Sequence, residues 1–258
     1  MTNVARQAVS LPTRSAAFEA SDAVPVGTRR FRLVAKTDET PDVVSLTMTP
    51  VDGGPVWTVL PGQYVCVRVH TDASSDTRLR PYTVTAATES TLRITCKHPA
   101  RPRVDGAVVT SPYDAEPGAE LDITPPEGTF LLPEGRQPIV FFTAGTGITP
   151  AVAMLRGVKD DREASLFHVC RHMEDFVLCE EVASHFGIRP NRRLALYLTG
   201  ESGRPKAGDY ASVLRRDADY VLCGPPEFIK TVASTLLKHE VPIHRIHAER
   251  FDVGTTLL

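Results

Sequence analysis

The chain has 258 residues, with 42% apolar and 23% charged, an ordinary globular composition long enough for two domains with separate cores. Its 29 basic groups stand against 31 acidic ones, so no global positive field points to a nucleic-acid partner. No apolar run approaches the roughly 20 residues of a membrane span, and the N-terminus lacks the continuous apolar stretch of a secretory signal. The expectation is a cytoplasmic protein with no membrane insertion.

Residues 1–28 are small and polar without a sustained period, and read as a flexible leader. From Phe31 the pattern becomes that of strands: FRLVAKT, VVSLTMTP, QYVCVRVHT, YTVTAAT, TLRITCK and ELDITPP, separated by turn signals such as Asp52-Gly53-Gly54 and Pro61-Gly62. In the third run Tyr64, Cys66, Arg68 and His70 share one face, while Val65, Val67 and Val69 share the other. Closely spaced runs of this kind predict an antiparallel six-stranded β-barrel over residues 29–135.

The pattern changes near Pro138. PIVFFTA is a continuous apolar strand followed by Gly145-Thr146-Gly147 and a helical PAVAMLRGV. ASLFHVC precedes the helical EDFVLCEEVASHF, RLALYLT precedes a helix near DYASVLRR, YVLC precedes EFIKTVASTLLKHE, and RIHAERF follows. Alternation of buried strands with helices predicts a doubly wound parallel α/β sheet over residues 136–258.

Three loops are candidates for chemistry. In FFTAGTGITPAVAML a strand runs into two glycines, with Thr149 placed as N-cap and Pro150 at the first helical position. Close backbone approach and unpaired N–H groups suit a diphosphate, although the G-x-G-x-x-P spacing lacks a third glycine and also fits a plain strand–helix turn. YVLCGPPEF places Cys223, Gly224 and Pro225 at the carboxyl end of another parallel strand, on the same sheet edge. Arg80-Pro81-Tyr82-Thr83 opens a barrel strand with a guanidinium fork, an aromatic face and a short hydroxyl. Five cysteines (66, 96, 170, 179 and 223) form no C-x-x-C pair or iron–sulfur spacing, and no histidines fall in a metal-ligand pattern. No protein-bound metal is expected.

Taken in order, PGQYV, RPYT, GTGITP and CGPPEF, with an acidic–aromatic tail, resemble the ferredoxin–NADP reductase-like flavoprotein superfamily over roughly residues 30–258. VDGGPVWTVLPGQYVCVRV and LLKHEVPIHRIHAERF look most like the reductase portion of flavohaemoglobins and are similar to oxygenase reductases. The resemblance implies FAD in the barrel and NADH or NADPH on the sheet, with NADH favoured. Arg80 would pair with the flavin diphosphate, Pro81 and Tyr82 would pack on the flavin, and Thr83 would hydrogen-bond near its N5. Gly145, Thr146, Gly147, Ile148 and Thr149 would hold the nicotinamide nucleotide, and Arg171 its adenosine half. Cys223, Gly224 and Pro225 would line the nicotinamide, with Glu249 and Phe251 closing the other side of the flavin. Thr83, Cys223 and Glu249 are the expected catalytic contacts.

The chain departs from the pattern after Lys97, where HPARPRVD precedes a single Gly106. Either Thr110 or Ser111 supplies the remaining diphosphate hydroxyl, and Arg101 and Arg103 are either phosphate contacts or a solvated loop. Arg204 and Lys206 are candidate partners of Arg171 for a 2′-phosphate. The function implied is an NAD(P)H-dependent flavoprotein reductase that takes hydride onto FAD and passes single electrons to a separate haem protein, ferredoxin or oxygenase. The leader is too short for a globin, which directs the expectation toward a separate acceptor. Direct reduction of free flavin, ferric chelates or oxygen is the alternative, with a non-catalytic flavin-bearing regulatory subunit behind it.

Overall fold

The computed structural model describes residues 26–69, 79–98, 111–187 and 189–250. Strands β1 (Arg29–Thr40), β2 (Val43–Pro50), β3 (Tyr64–Val69), β4 (Arg80–Ala87), β5 (Leu92–Lys97) and β6 (Glu120–Ile123) close into a barrel in the order β1-β2-β5-β4-β3-β6. Each pairing is antiparallel. Period two is the cause: in β1, Phe31 and Leu33 are buried between exposed Arg30, Arg32 and Val34. They meet Leu46, Met48, Val65, Val67, Ile94 and Leu121 in the barrel interior. Cys66 departs from the expected half-exposed face and is buried as well. The chain returning from β6 covers it, with Cys66 N donating to Thr124 Oγ1 at 2.9 Å and Thr124 N donating to Cys66 O at 3.0 Å.

The second half holds β7 (Ile139–Ala144), β8 (Ala164–Cys170), β9 (Arg192–Leu198), β10 (Asp219–Gly224) and β11 (Ile246–Arg250), parallel throughout in the order β11-β10-β7-β8-β9. Apolar residues alternate between two covered faces, as the continuous runs require. Phe141, Leu166, Val221 and Cys223 join one core with α1 (Thr149–Leu155) and α2 (Cys179–Phe186). Val140, Phe142, Phe167, Tyr220 and Leu222 join the other. That face is covered by α4 (Pro226–Lys238), the last helix after the single turn α3 (Thr199–Ser202). Arg162, 5% exposed, ties the entry to this sheet. It donates to the carbonyls of Gln137 and Pro133, both at 2.7 Å, and reaches Asp219 at 3.2 Å.

Two helical expectations are corrected. EDFVLCEEVASHF is not one helix, because Phe176, Val177 and Leu178 are all buried and three successive residues cannot share a helix face. A 3₁₀ turn over Met173–Asp175 precedes them, and α2 starts only at Cys179. The DYASVLRR helix is a 3₁₀ stretch, Ala207–Val213, whose buried Tyr210 and Val213 stand three apart and fall in line at three residues per turn. Among the described residues, no helix is long and apolar enough to cross a membrane.

Candidate active site

The strand order places the site. From β7 the chain proceeds to β8 on one side, while β10 pairs with β7 on the other. The strand order therefore reverses between β7 and β10, the position where a crevice opens at the carboxyl ends of a parallel sheet. Gly145–Ile148 leaves β7 there as a 3₁₀ turn running straight into α1. Cys223 and Gly224 end β10 beside it, with Cys223 opposite Thr143 in the register. The two loops touch: a Cβ on Gly147 would lie 2.5 Å from the Cys223 carbonyl oxygen, so only glycine fits.

Thr149 is not the N-cap that its position in the sequence implied. Ile148 before it already has helical angles, and the Thr149 hydroxyl donates backward to Thr146 O at 3.0 Å. The extended residue ahead of the turn is Ala144, which has no side-chain acceptor. No side chain therefore caps the N–H groups that open this turn, a suitable arrangement for an anion.

The barrel brings β4 to the same place. Helix α1 packs against β4, which carries Arg80, Pro81, Tyr82 and Thr83. The Pro61-Gly62 turn also closes on α1, where a Cβ on Gly62 would sit 2.7 Å from Met154 Cε. Arg80, Pro81 and Tyr82 are half-buried and Thr83 is buried. The Thr83 hydroxyl has no hydrogen-bond partner among the described residues. Leaving such a group unpaired carries a desolvation penalty of about 1–3 kcal/mol, so the position favours a ligand with a polar edge. Burial, then the neighbouring Cys96, raises the Tyr82 phenol above its ordinary range, while Ser111 engages its hydroxyl. Ser111 is also buried, with its Oγ accepting from Tyr113 N at 3.2 Å.

Tyr64 joins the two domains and was given no role by sequence reasoning. It pairs with Thr83 across β3 and β4, and its phenol is raised by burial and by the charges around it, Glu249 among them. The available signal was its position in PGQYV on the face opposite the core valines. Glu249 in turn sits opposite Cys223 across β10 and β11. Burial raises the Glu249 carboxyl to about 7. Burial, followed by the Glu249 charge, holds the fully buried Cys223 thiol well above its usual range, so it stands as a neutral thiol. The same row continues inward: Thr143 Oγ1 lies 2.8 Å from His168 Nδ1, and burial pushes His168 down to about 3. This neutral imidazole stacks on Phe176.

The remaining expected residues are less uniform. Gly145, Thr146 and Gly224 line the loops just described, and Pro225 is exposed beside them. Arg171 is exposed at the carboxyl end of β8, its carbonyl accepting from Gly200 N at 2.8 Å. Lys97 is exposed and paired with Asp42 at 2.9 Å, so its ammonium is already engaged away from the β4 residues. Arg204 and Lys206 are exposed on the segment after α3. Gly106, Thr110, Phe251, Arg101 and Arg103 lie outside the described residues.

Fold and sequence then agree on a class. Residues 141–234 match the oxidoreductase NAD-binding domain family model. The fold is similar to the flavohem-like FAD/NAD binding domain of nitric oxide dioxygenase from Vibrio cholerae, with a TM-score of 0.78 and 26% identity over 87% of this chain and 99% of that one. A closed antiparallel barrel followed by a parallel sheet is thus the architecture shared with that FAD/NAD binding domain, and the second half carries the match to the oxidoreductase NAD-binding domain. Among curated proteins it is 33% identical to the flavohemoprotein of Bordetella pertussis over 93% of this chain, and 32% identical to that of Pseudomonas aeruginosa over 90%. It spans 64% and 61% of the length of those two relatives. The flavohemoglobin of Malassezia yamatoensis, solved with bound FAD and heme, aligns with a TM-score of 0.76 and 26% identity over 88% of this chain and 60% of that one.

Proposed function

We propose that the chain is a reductase module that binds FAD against the barrel, accepts hydride from NADH, and delivers single electrons to a haem protein, ferredoxin or oxygenase partner. The observation that carries this reading is the orphaned Thr83 hydroxyl, next to Tyr64 in the register, whose phenol feels the Glu249 charge. Glu249 faces Cys223, and Cys223 abuts Gly147. A polar ring edge at Thr83 and a nicotinamide beside Cys223 would thus occupy adjoining positions.

The residues fit the two cofactors. Arg80 supplies a guanidinium for a diphosphate at the start of β4, and Tyr82 offers an aromatic face beside it. The uncapped turn at Gly145–Ile148 receives the second diphosphate. Bound FAD supplies the exchange between a two-electron hydride and single electrons. The protein contributes placement: Thr83 satisfies and orients the ring edge, the Gly147–Cys223 contact sets how deeply the nicotinamide enters, and neutral Cys223 offers it an uncharged surface. Glu249, titrating near neutrality, can hold or give up a proton at this edge. Acidic Glu201 and Asp209 are interleaved with Arg204 and Lys206, weakening the positive field that a 2′-phosphate requires, which supports NADH. The names of the flavohemoprotein relatives support a haem acceptor first.

Purified protein should be yellow and release FAD on denaturation, and anaerobic mixing with NADH should bleach it faster than mixing with NADPH. Failure to bleach with either nucleotide overturns the proposal. Steady turnover without an added acceptor protein would reassign the electrons to small acceptors.

A further inference from the structure

We infer that Glu181, held between Arg93 and Arg156, is a positioning residue that fixes the nucleotide sheet against the flavin barrel at the angle hydride transfer requires. This inference rests on the function proposed above. Arg93 belongs to β5 of the barrel, Arg156 caps the end of α1, and Glu181 lies in the first turn of α2. One carboxylate oxygen of Glu181 accepts from Arg93 Nη2 at 2.6 Å, and the other accepts from Arg156 Nη2. Both oxygens are thus used, one toward each domain. The Glu181 side chain is 17% exposed and that of Arg93 22%, so water screens the pair only partly.

The barrel end is itself anchored. Arg93 Nε donates to Thr85 Oγ1 at 3.0 Å, and Thr85 is fully buried, its hydroxyl donating back to Arg93 O at 3.2 Å. Thr85 lies on β4, two residues beyond Thr83. At the other end, α1 begins at the nucleotide loop and finishes at Arg156. The clamp therefore connects the strand that carries the flavin contacts to the helix that carries the nucleotide loop.

Apolar contacts between the halves show why a directional link has a function. Met154 against the Pro61-Gly62 turn, and Leu132 against Gly157, are apolar contacts. Apolar contact resists separation but is non-directional, so it tolerates sliding and twisting. A guanidinium–carboxylate pair has a preferred geometry and resists both. Its effect is on alignment, where an error of about 1 Å is enough to slow a transfer step about 100-fold.

The test uses FAD-loaded protein with Glu181→Gln and Arg93→Gln, singly and together. Three measurements are made: anaerobic flavin bleaching against NADH concentration, hydrogen exchange of the segments 80–87 and 149–155, and thermal melting. The expected result is a limiting bleaching rate lower by about tenfold, with NADH affinity changed by less than about threefold. Exchange should rise in both segments, and the double variant should be no slower than the slower single one. A merely structural pair would lower melting temperature and FAD content and leave the rate per bound flavin unchanged, which would overturn the inference. Unchanged exchange in folded Glu181→Gln would overturn it as well. Wild-type protein that fails to bleach would instead overturn the proposed function, and the exchange data alone would then decide whether the clamp couples the domains.

Discussion

Replacing Gly147 with alanine adds one methyl group at the tightest point of the site. That Cβ would lie 2.5 Å from the Cys223 carbonyl oxygen, 2.7 Å from its carbon and 2.8 Å from Gly224 N, all backbone atoms that cannot rotate away. Ordinary contact begins at 3.4 Å, so the two loops must part by about 0.9 Å. Overpacking of this kind costs about 1–3 kcal/mol, which lowers the melting temperature by roughly 2–12 °C for a chain of this size. The larger effect is on rate, because widening the seam by that amount displaces the nicotinamide and slows flavin bleaching by about 100-fold. Gly53→Ala, in the turn after β2 and away from the nucleotide loops, is the control: its φ is +69°, but no atom lies within 4 Å of an added Cβ. It should incur about 1 kcal/mol of left-handed strain and leave the rate within about threefold of wild type. Stopped-flow absorbance at saturating NADH reads both variants. Folded, FAD-loaded Gly147→Ala that bleaches at the wild-type rate would refute the reasoning, as would equal slowing in Gly53→Ala.

Other expectations follow from the same geometry. Thr83→Val removes the orphaned hydroxyl, so flavin-free protein should become more stable by about 1–2 kcal/mol while FAD-loaded protein bleaches more slowly; parallel changes in the two forms would count against the assignment. Glu249 has its carboxyl raised from 4.5 to about 7, so the fold favours the neutral form, and the penalty for ionisation appears as pH rises through that window. Wild-type protein should therefore lose up to about 3 kcal/mol relative to Glu249→Gln between pH 4.5 and 8, and its bleaching rate should show an inflection near pH 7 that the variant lacks. Melting curves and a pH–rate series check the two halves of that statement. Arg162→Ala leaves two carbonyls unpaired and Asp219 without its cation, with an expected loss of about 3–5 kcal/mol by urea unfolding; a loss below about 1 kcal/mol would contradict the buried clamp.

Much of the fold was legible because it follows from local rules. The alternation in FRLVAKT became β1, and the unbroken PIVFFTA became the doubly covered β7. The GTG turn and the CGPP turn were legible as backbone features that the residue types impose. What depended on register was not. The placement of Tyr64 opposite Thr83 is decided by how β3 and β4 pair, and nothing in either segment alone specifies it. Arg93 and Glu181 are separated by 88 positions, and either would pass for a solvated charge in isolation. The Thr149 cap failed for a smaller reason: the chain already has helical angles at Ile148, so the Thr149 hydroxyl donates backward to the Thr146 carbonyl.

The polar row that crosses the parallel sheet has a consequence for how the site responds to its surroundings. Cys223 keeps its proton, and His168, beyond Thr143, refuses one, so neither of these two groups titrates at physiological pH. At the half-buried end of the row, Glu249 changes charge in that range. Within this row, a shift in cellular acidity therefore reaches the redox edge as the gain or loss of one negative charge, while the scaffold behind it stays electrically silent.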